Sequence, residues 1–265
     1  MTPMGEMLKL VILSDLHLLD GGVLSMGLDT TERLRTGVQA INDRHADADL
    51  AIIAGDLADL GEVGAYHWLR DMLAGLSVPV QITIGNHDDR AAYLSVFGQD
   101  QASETGFIDR VIDIKGHRLI LLDSAIEPFC HDGRLEQVQL DWLAARLNDA
   151  ADRPVIVILH HHANPLFTDV DSIMLQNGAA FADVLQTHSD IRQVIAGHVH
   201  YTSTALWRGI PFTTLAGGHY SVTIPLDGST LQNLAGPAQM AVVLSDADQT
   251  LVHFDNYLDG NRIIG

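Results

Sequence analysis

The sequence predicts an α/β fold, and three observations carry it. Short apolar runs recur along the chain, amphipathic helical stripes lie between them, and several runs stop abruptly on polar residues. Leu8–Leu13 (LKLVIL), Leu50–Ala54 (LAIIA), Val80–Ile84 (VQITI), Arg118–Leu122 (RLILL), Val155–Leu159 (VIVIL) and Ile191–Ala196 (IRQVIA) read as buried strands.

Helical spacing fills the intervals. Asp29-Thr30-Thr31-Glu32 has the spacing of a capping box and precedes Leu34, Val38 and Ile41 on one face. Leu69, Met72, Leu73 and Leu76 fall at i, i+3, i+4 and i+7; Leu140, Leu143, Ala144 and Leu147 repeat that stripe, and Phe181, Val184 and Leu185 do so more briefly. Such stripes are core packing and carry no chemistry. After about residue 201 the pattern changes to strand-like pieces between turns: STALW, IPFTTLA, AVVLS and LVHF. Those pieces suggest a second, more antiparallel sheet packed on the first. Residues 226–239 read as a long loop or edge excursion.

Composition narrows the function. The chain has 265 residues, 47% hydrophobic and 18% charged, enough for a sizeable core within one domain spanning residues 1–265. Fifteen basic against 34 acidic residues leave a formal charge of −19, which disfavours long nucleic acid as a partner. Small anionic substrates stay open, because bound cations invert the local field. A lone cysteine, Cys130, fits a reducing compartment, and no run reaches membrane-spanning or signal-peptide length. The expectation is a cytoplasmic protein without a membrane partner.

The chemistry lies where the strands stop. VILSDLH ends in Asp15 and His17; AIIAGDLAD in Asp56 and Asp59; VPVQITIGNHDD in Asn86, His87, Asp88 and Asp89; VIVILHHHA in His160, His161 and His162; and VIAGHVH in His198 and His200. In open α/β sheets the carboxyl ends of strands border the ligand crevice, so these side chains can converge. Residues two apart, as in Asp15/His17 and His198/His200, point to one side of an extended backbone. Carboxylates and imidazoles without thiolates suit Zn, Fe or Mn. Even seven of these donors would exceed one tetrahedral site but suffice for two ions about 3.5–4 Å apart bridged by a carboxylate. Any one of these residues alone reads better as a helix cap, a turn or a surface histidine. Five strand ends together do not.

DLH, GDLAD, GNHDD, HHH and GHVH, in that order over residues 8–220, resemble the signature of the calcineurin-like metallophosphoesterases. The GNHDD ending and the Gly-His-x-His pair are most similar to class III cyclic nucleotide phosphodiesterases and bacterial glycerophosphodiesterases. The resemblance implies a four-layer αββα sandwich of two mixed β-sheets flanked by helices, with a binuclear centre at the strand carboxyl ends. Residues 221–265 would then supply a loop and strands completing the second sheet. It implies one ion held by Asp15, His17, Asp56 and His200, and another by Asp56, Asn86, a histidine of the triplet and His198, with Asp56 as the bridge. His160, the first polar residue after its strand, is the preferred triplet ligand and His161 the second choice; the family places a proline sooner after this block than Pro165 stands here.

The same resemblance implies hydrolysis of a small phosphodiester, such as 3',5'-cyclic AMP or a glycerophosphodiester, by a metal-activated hydroxide. Asp56 and His87 would be catalytic, with His87 facing substrate beside Asn86. Asp88 would orient His87 or cap the following helix, and His219, in LAGGHYSV, would contact substrate with Tyr220. Two divalent or trivalent ions (Fe, Mn or Zn) are the implied cofactors, and a homodimer is expected by analogy. A phosphomonoesterase, a non-catalytic scaffold and a metal-storage protein are the competing readings.

Overall fold

The computed structural model describes residues 7–258. The elements run β1 (Leu8–Leu13), α1 (Thr30–Arg44), β2 (Leu50–Ala54), α2 (Val63–Leu73), β3 (Val80–Thr83), α3 (Arg90–Phe97), β4 (Arg110–Ile114), β5 (His117–Leu122) and α4 (Gln137–Ala150). There follow β6 (Val155–Leu159), α5 (Gly178–Leu185), β7 (Ile191–Ala196), β8 (Ser203–Trp207), β9 (Ile210–Thr214), β10 (Ser221–Val222), β11 (Asn233–Leu234), β12 (Ala238–Ser245) and β13 (Thr250–Leu258).

Two large mixed sheets result. One has the order β13-β12-β1-β2-β3, the other β4-β5-β6-β7-β9-β8, and the short β10-β11 pair stands apart. Strands that feed helices pair in parallel, as β1-β2-β3 and β5-β6-β7 do, because each crossover helix returns the chain to the same end of the sheet.

Alternation within each strand builds the layers. Leu8, Leu10 and Ile12 of β1 face Leu119, Leu121, Ile156 and Ile158 of the other sheet across a dry interior. Val11 and Leu13, on the opposite face, pack with Leu34 and Ile41 of α1 and Leu69 of α2. In the second sheet Val155, Val157 and Leu159 take Leu140, Leu143 and Leu147 of α4 together with Phe181 of α5. The order is therefore helix, sheet, sheet, helix, with every residue of β2 and β6 buried. Burying each valine, leucine or isoleucine side chain among them contributes about 1.5–3 kcal/mol relative to leaving it in water. These interior strands hold the site-bearing loops rigidly at their carboxyl ends.

The C-terminal strands correct one expectation. β12 pairs antiparallel with β1, Leu8 opposite Ser245 and Ile12 opposite Ala241, so the β12-β13 hairpin extends the first sheet rather than completing the second. Only β8 and β9 join the second. Turn spacing marks hairpins but not the sheet edge to which each adds. The 226–239 excursion holds a short strand, since Leu234 and Asn233 pair with Ser221 and Val222. Helix α3 and strand β4 carry no long apolar stripe in the sequence: α3 buries only Tyr93, and β4 is a partly exposed edge.

Among the described residues no helix is long and apolar enough to cross a membrane.

Candidate metal centre

The loops after β1, β2, β3, β6 and β7 meet at one place. The backbone N–H of Asp15 donates to the Gly55 carbonyl, and those of Leu16 and His17 to the Asp56 carbonyl, laying the DLH loop against the GDL loop. The Gly197 N–H donates to the His160 carbonyl at 3.0 Å, and the His198 N–H donates to Asp15 Oδ1 at 2.9 Å. These bonds hold an unusual backbone. Asp15, His17, Asp56, His198 and His200 have φ of 55°, 46°, 49°, 74° and 55°, the left-handed region that non-glycine residues avoid. Such conformations cost about 1–3 kcal/mol each and cluster where side chains must be aimed. The residue pairs two apart therefore converge through left-handed turns, not through the extended backbone that their spacing suggested.

Donor atoms gather tightly. Asp15, His17 and His200 form one group; His17, Asp56 and His87 a second; Asp56, His160 and His198 a third. Within each group the candidate ligand atoms lie within 4.8 Å of one another. His200 Nε2 stands 3.5 Å from Asp15 Oδ1 and 3.3 Å from His17 Nε2. Asp56 Oδ2 is 3.5 Å from His17 Nε2 and 3.2 Å from His160 Nε2.

The far side of each ring is anchored. His17 Nδ1 is 2.9 Å from Asp59 Oδ1, His160 Nδ1 2.9 Å from the Ala54 carbonyl, and His200 Nδ1 2.8 Å from the Tyr220 carbonyl. His198 reverses the pattern, with Nε2 3.0 Å from the Ile173 carbonyl. Anchoring one ring nitrogen fixes the tautomer and turns the other nitrogen's lone pair inward, the usual support for a metal-binding imidazole. Asp59, assigned no role from sequence, anchors His17 by its side chain and His87 Nδ1 by its carbonyl at 2.8 Å. Its place in GDLAD was the available signal; the backbone carbonyls gave none.

Two atoms test the fit to a cation directly. Asn86 Oδ1 and His160 Nε2 are buried and have no hydrogen-bond partner among the described residues. Leaving buried acceptors unmade costs about 1–3 kcal/mol each, whereas as cation ligands both lone pairs are used. The electrostatics favour a charged Asp56 and neutral His198 and His200, whereas a cation at His160 would displace a proton. Burial pushes the Asp56 carboxyl up, but His160, His17 and His87 outweigh it and hold it well below the usual carboxylate range. Burial pulls His160 down, while the Asp56 carboxylate overcomes that and raises it to about 9. His198 and His200 are lowered, chiefly by burial, and so favour the neutral form that binds metal.

Each remaining sequence-singled residue has a definite place. Within the triplet, His160 stands beside Asp56; His161 turns to Ser124 Oγ at 2.7 Å, with its ring 4.6 Å from that of His198; His162 faces Asp171 at 3.8 Å. His219 is buried, its ring 5.1 Å from His17 and its Nε2 3.2 Å from the Ser25 carbonyl. Tyr220 stacks on His200 with centroids 4.1 Å apart. Asp88 neither caps the helix nor holds the His87 ring. Its carboxylate accepts from the Leu57, Ala58 and Gly85 N–H groups and from the Tyr66 hydroxyl, while Asp89 caps α3 by accepting from the Ala92 N–H at 2.7 Å. Burial, with Asp56 nearby, pushes the Asp88 carboxyl up to about 6.

Two motif glycines are sterically required. A Cβ on Gly85 would overlap Asp56 Oδ1, and one on Gly197 would overlap Ser14 Oγ. Beside the cluster a cavity of about 650 Å³ opens, with His87 in its wall.

Comparison with known proteins agrees with this geometry. The family model for calcineurin-like phosphoesterases matches residues 8–202. A cAMP/cGMP dual specificity phosphodiesterase of Mycobacterium tuberculosis (strain CDC 1551 / Oshkosh) is 34% identical over 264 residues, covering 97% of this chain and 81% of that protein. A protein of Arcobacter nitrofigilis named "Probable glycerophosphodiester phosphodiesterase GpdQ" is 30% identical over 222 residues, 82% of this chain and 80% of its own length. Among solved structures, a dimetal phosphatase from Danio rerio shares the fold with a TM-score of 0.66 at 18% identity, over 92% of this chain and 98% of that one. Motifs, layers and clustered donors lead to one assignment: the chain belongs to the calcineurin-like phosphoesterase family.

Proposed function

We propose that this chain is a metal-dependent phosphodiesterase that hydrolyses small phosphodiesters at a two-cation centre. One observation carries the reading: Asp56 Oδ2 lies 3.5 Å from His17 Nε2, which groups with Asp15 and His200, and 3.2 Å from His160 Nε2, which groups with Asp56 and His198, so one carboxylate links the two sets. Asp15, His17, Asp56 and His200 would hold one ion; Asp56, Asn86, His160 and His198 the other. Paired cations in such a site supply Lewis acidity toward phosphoryl oxygens and lower the pKa of water toward neutrality.

The chain's own residues do the rest. His87 contributes at the edge of the centre. Its Nδ1 is tied to the Asp59 carbonyl, its backbone N–H donates to Asp56 Oδ1, and its side chain is partly exposed toward the cavity. That leaves Nε2 to hold a phosphoryl oxygen and, when protonated, to give its proton to the departing alkoxide. The Asn86 amide and the buried His219 would complete the polar wall around the phosphoryl group. The related proteins act, by name, on cyclic nucleotides and on glycerophosphodiesters, and we take the substrate from that class.

The experiment is a panel of phosphodiesters and their monoesters, assayed with protein reconstituted with manganese or zinc. Diester turnover well above monoester turnover is expected. Monoester turnover alone, or none, overturns the reading.

A further inference from the structure

The cavity beside His87 is built unlike the centre it adjoins. Leu60, Ala91, Pro128 and Phe129 give it apolar walls, and neither lysine nor arginine lines it. Phe129 is 58% exposed and Leu60 74% exposed, so both present apolar surface to solvent at the mouth of a site that must admit a polar substrate. The Phe129 ring is held edge to face against His87, centroids 5.6 Å apart, and against His131 at 4.8 Å. An exposed aromatic ring braced on two sides is a preorganised stacking surface.

The acidic residues around the cavity are already matched. Asp59 is bonded to His17 and Ser25, Asp88 to three backbone N–H groups, Asp89 to the start of α3, and Glu127 to Arg90. These bonds fix the orientation of the carboxylates at the rim. Their remaining lone pairs can still accept hydrogen bonds from neutral amines at the rim. A wall without cations gives nothing to hold a second phosphate.

We propose that this cavity is a nucleobase subsite: the planar, amine-bearing base of a nucleotide substrate stacks on Phe129 while its phosphodiester reaches His87. For the reaction this deepens the phosphodiesterase reading and rests on it; for binding it stands alone. Stacking of a base on an aromatic side chain typically changes affinity by tenfold or more.

The test compares 3',5'-cyclic AMP with glycerophosphoethanolamine in the manganese-reconstituted protein. Phe129→Ala should lower the ratio of their kcat/KM values about tenfold, through KM for the cyclic nucleotide, and Phe129→Tyr should preserve it. Calorimetry with adenosine, which has no phosphate, should show binding to the intact protein that weakens about tenfold in Phe129→Ala. An unchanged ratio overturns the proposal, as does a failure of adenosine to bind at millimolar concentration. A loss confined to glycerophosphocholine would assign the ring to a quaternary ammonium and overturn it too. Adenosine binding without hydrolysis of any diester would leave the base subsite standing and remove the phosphodiesterase reading.

Discussion

His160 Nε2 lies 3.2 Å from Asp56 Oδ2, while the same ring's Nδ1 is tied to the Ala54 carbonyl at 2.9 Å. The strand end of one sheet thus meets the strand end of the other at a single carboxylate. The adjacent His161 has its Nδ1 on Ser124. His160→Ala is therefore expected to bind one ion fewer per chain, and His161→Ala to keep the wild-type number. Mass spectrometry of the native proteins reads this directly, and full stoichiometry in His160→Ala contradicts it.

His87 touches the centre through its backbone N–H on Asp56 and presents its ring to the cavity. His87→Ala keeps that backbone donor. Its turnover should fall by about 10²–10⁴, the usual worth of a positioned proton donor, with bound metal unchanged. Parallel loss of metal and activity would make His87 structural.

Gly85 offers a purely steric test. A Cβ there overlaps Asp56 Oδ1 and comes within 2.7 Å of His160 Cδ2. Gly85→Ala must push Asp56 away, so metal content and hydrolysis should both drop. Gly116→Ala, with nothing within 4 Å but a left-handed φ of 76°, controls for backbone strain away from the cluster: it should lose some stability and keep its metal.

A pH dependence of stability follows from Asp109, far from the donor cluster in sequence. Its carboxyl is buried and accepts from the Asp123 N–H, Thr105 Oγ1 and Gln139 Nε2. Burial still pushes it up to about 6, from 3.8 in the unfolded chain. Between those values the folded state keeps a proton that the unfolded state has lost, so stability drains away as pH rises through about 4 to 6. Asp109→Asn has no such loss. Relative to that variant, the wild type should weaken by an amount on the order of 2 kcal/mol from pH 4 to pH 7 in denaturant titrations. The same offset at both pH values contradicts this.

Much of the site was legible because its donors sit at the ends of unmistakable strands. DLH, GDLAD, GNHDD and GHVH stop apolar runs that have no other reason to stop. What could not be read was set by distant backbone. The Tyr220 and Ile173 carbonyls that aim His200 and His198 come from loops with no sequence signal for that task. Nor did alternation reveal that β12 would find the free edge of β1, because β8-β9 and β12-β13 share the same hairpin pattern. Asp88 misled for a related reason: in isolation it looks like a cap, and only the fold brings the Leu57 and Ala58 N–H groups to it.

The most direct measurement is metal stoichiometry, by mass spectrometry under native conditions, of wild type and Asp56→Ala after reconstitution with manganese. Two ions per wild-type chain are expected, with neither retained tightly once the shared carboxylate is gone. A wild-type chain that takes up a single ion or none, or an Asp56→Ala chain that still holds two, would contradict a centre bridged by Asp56.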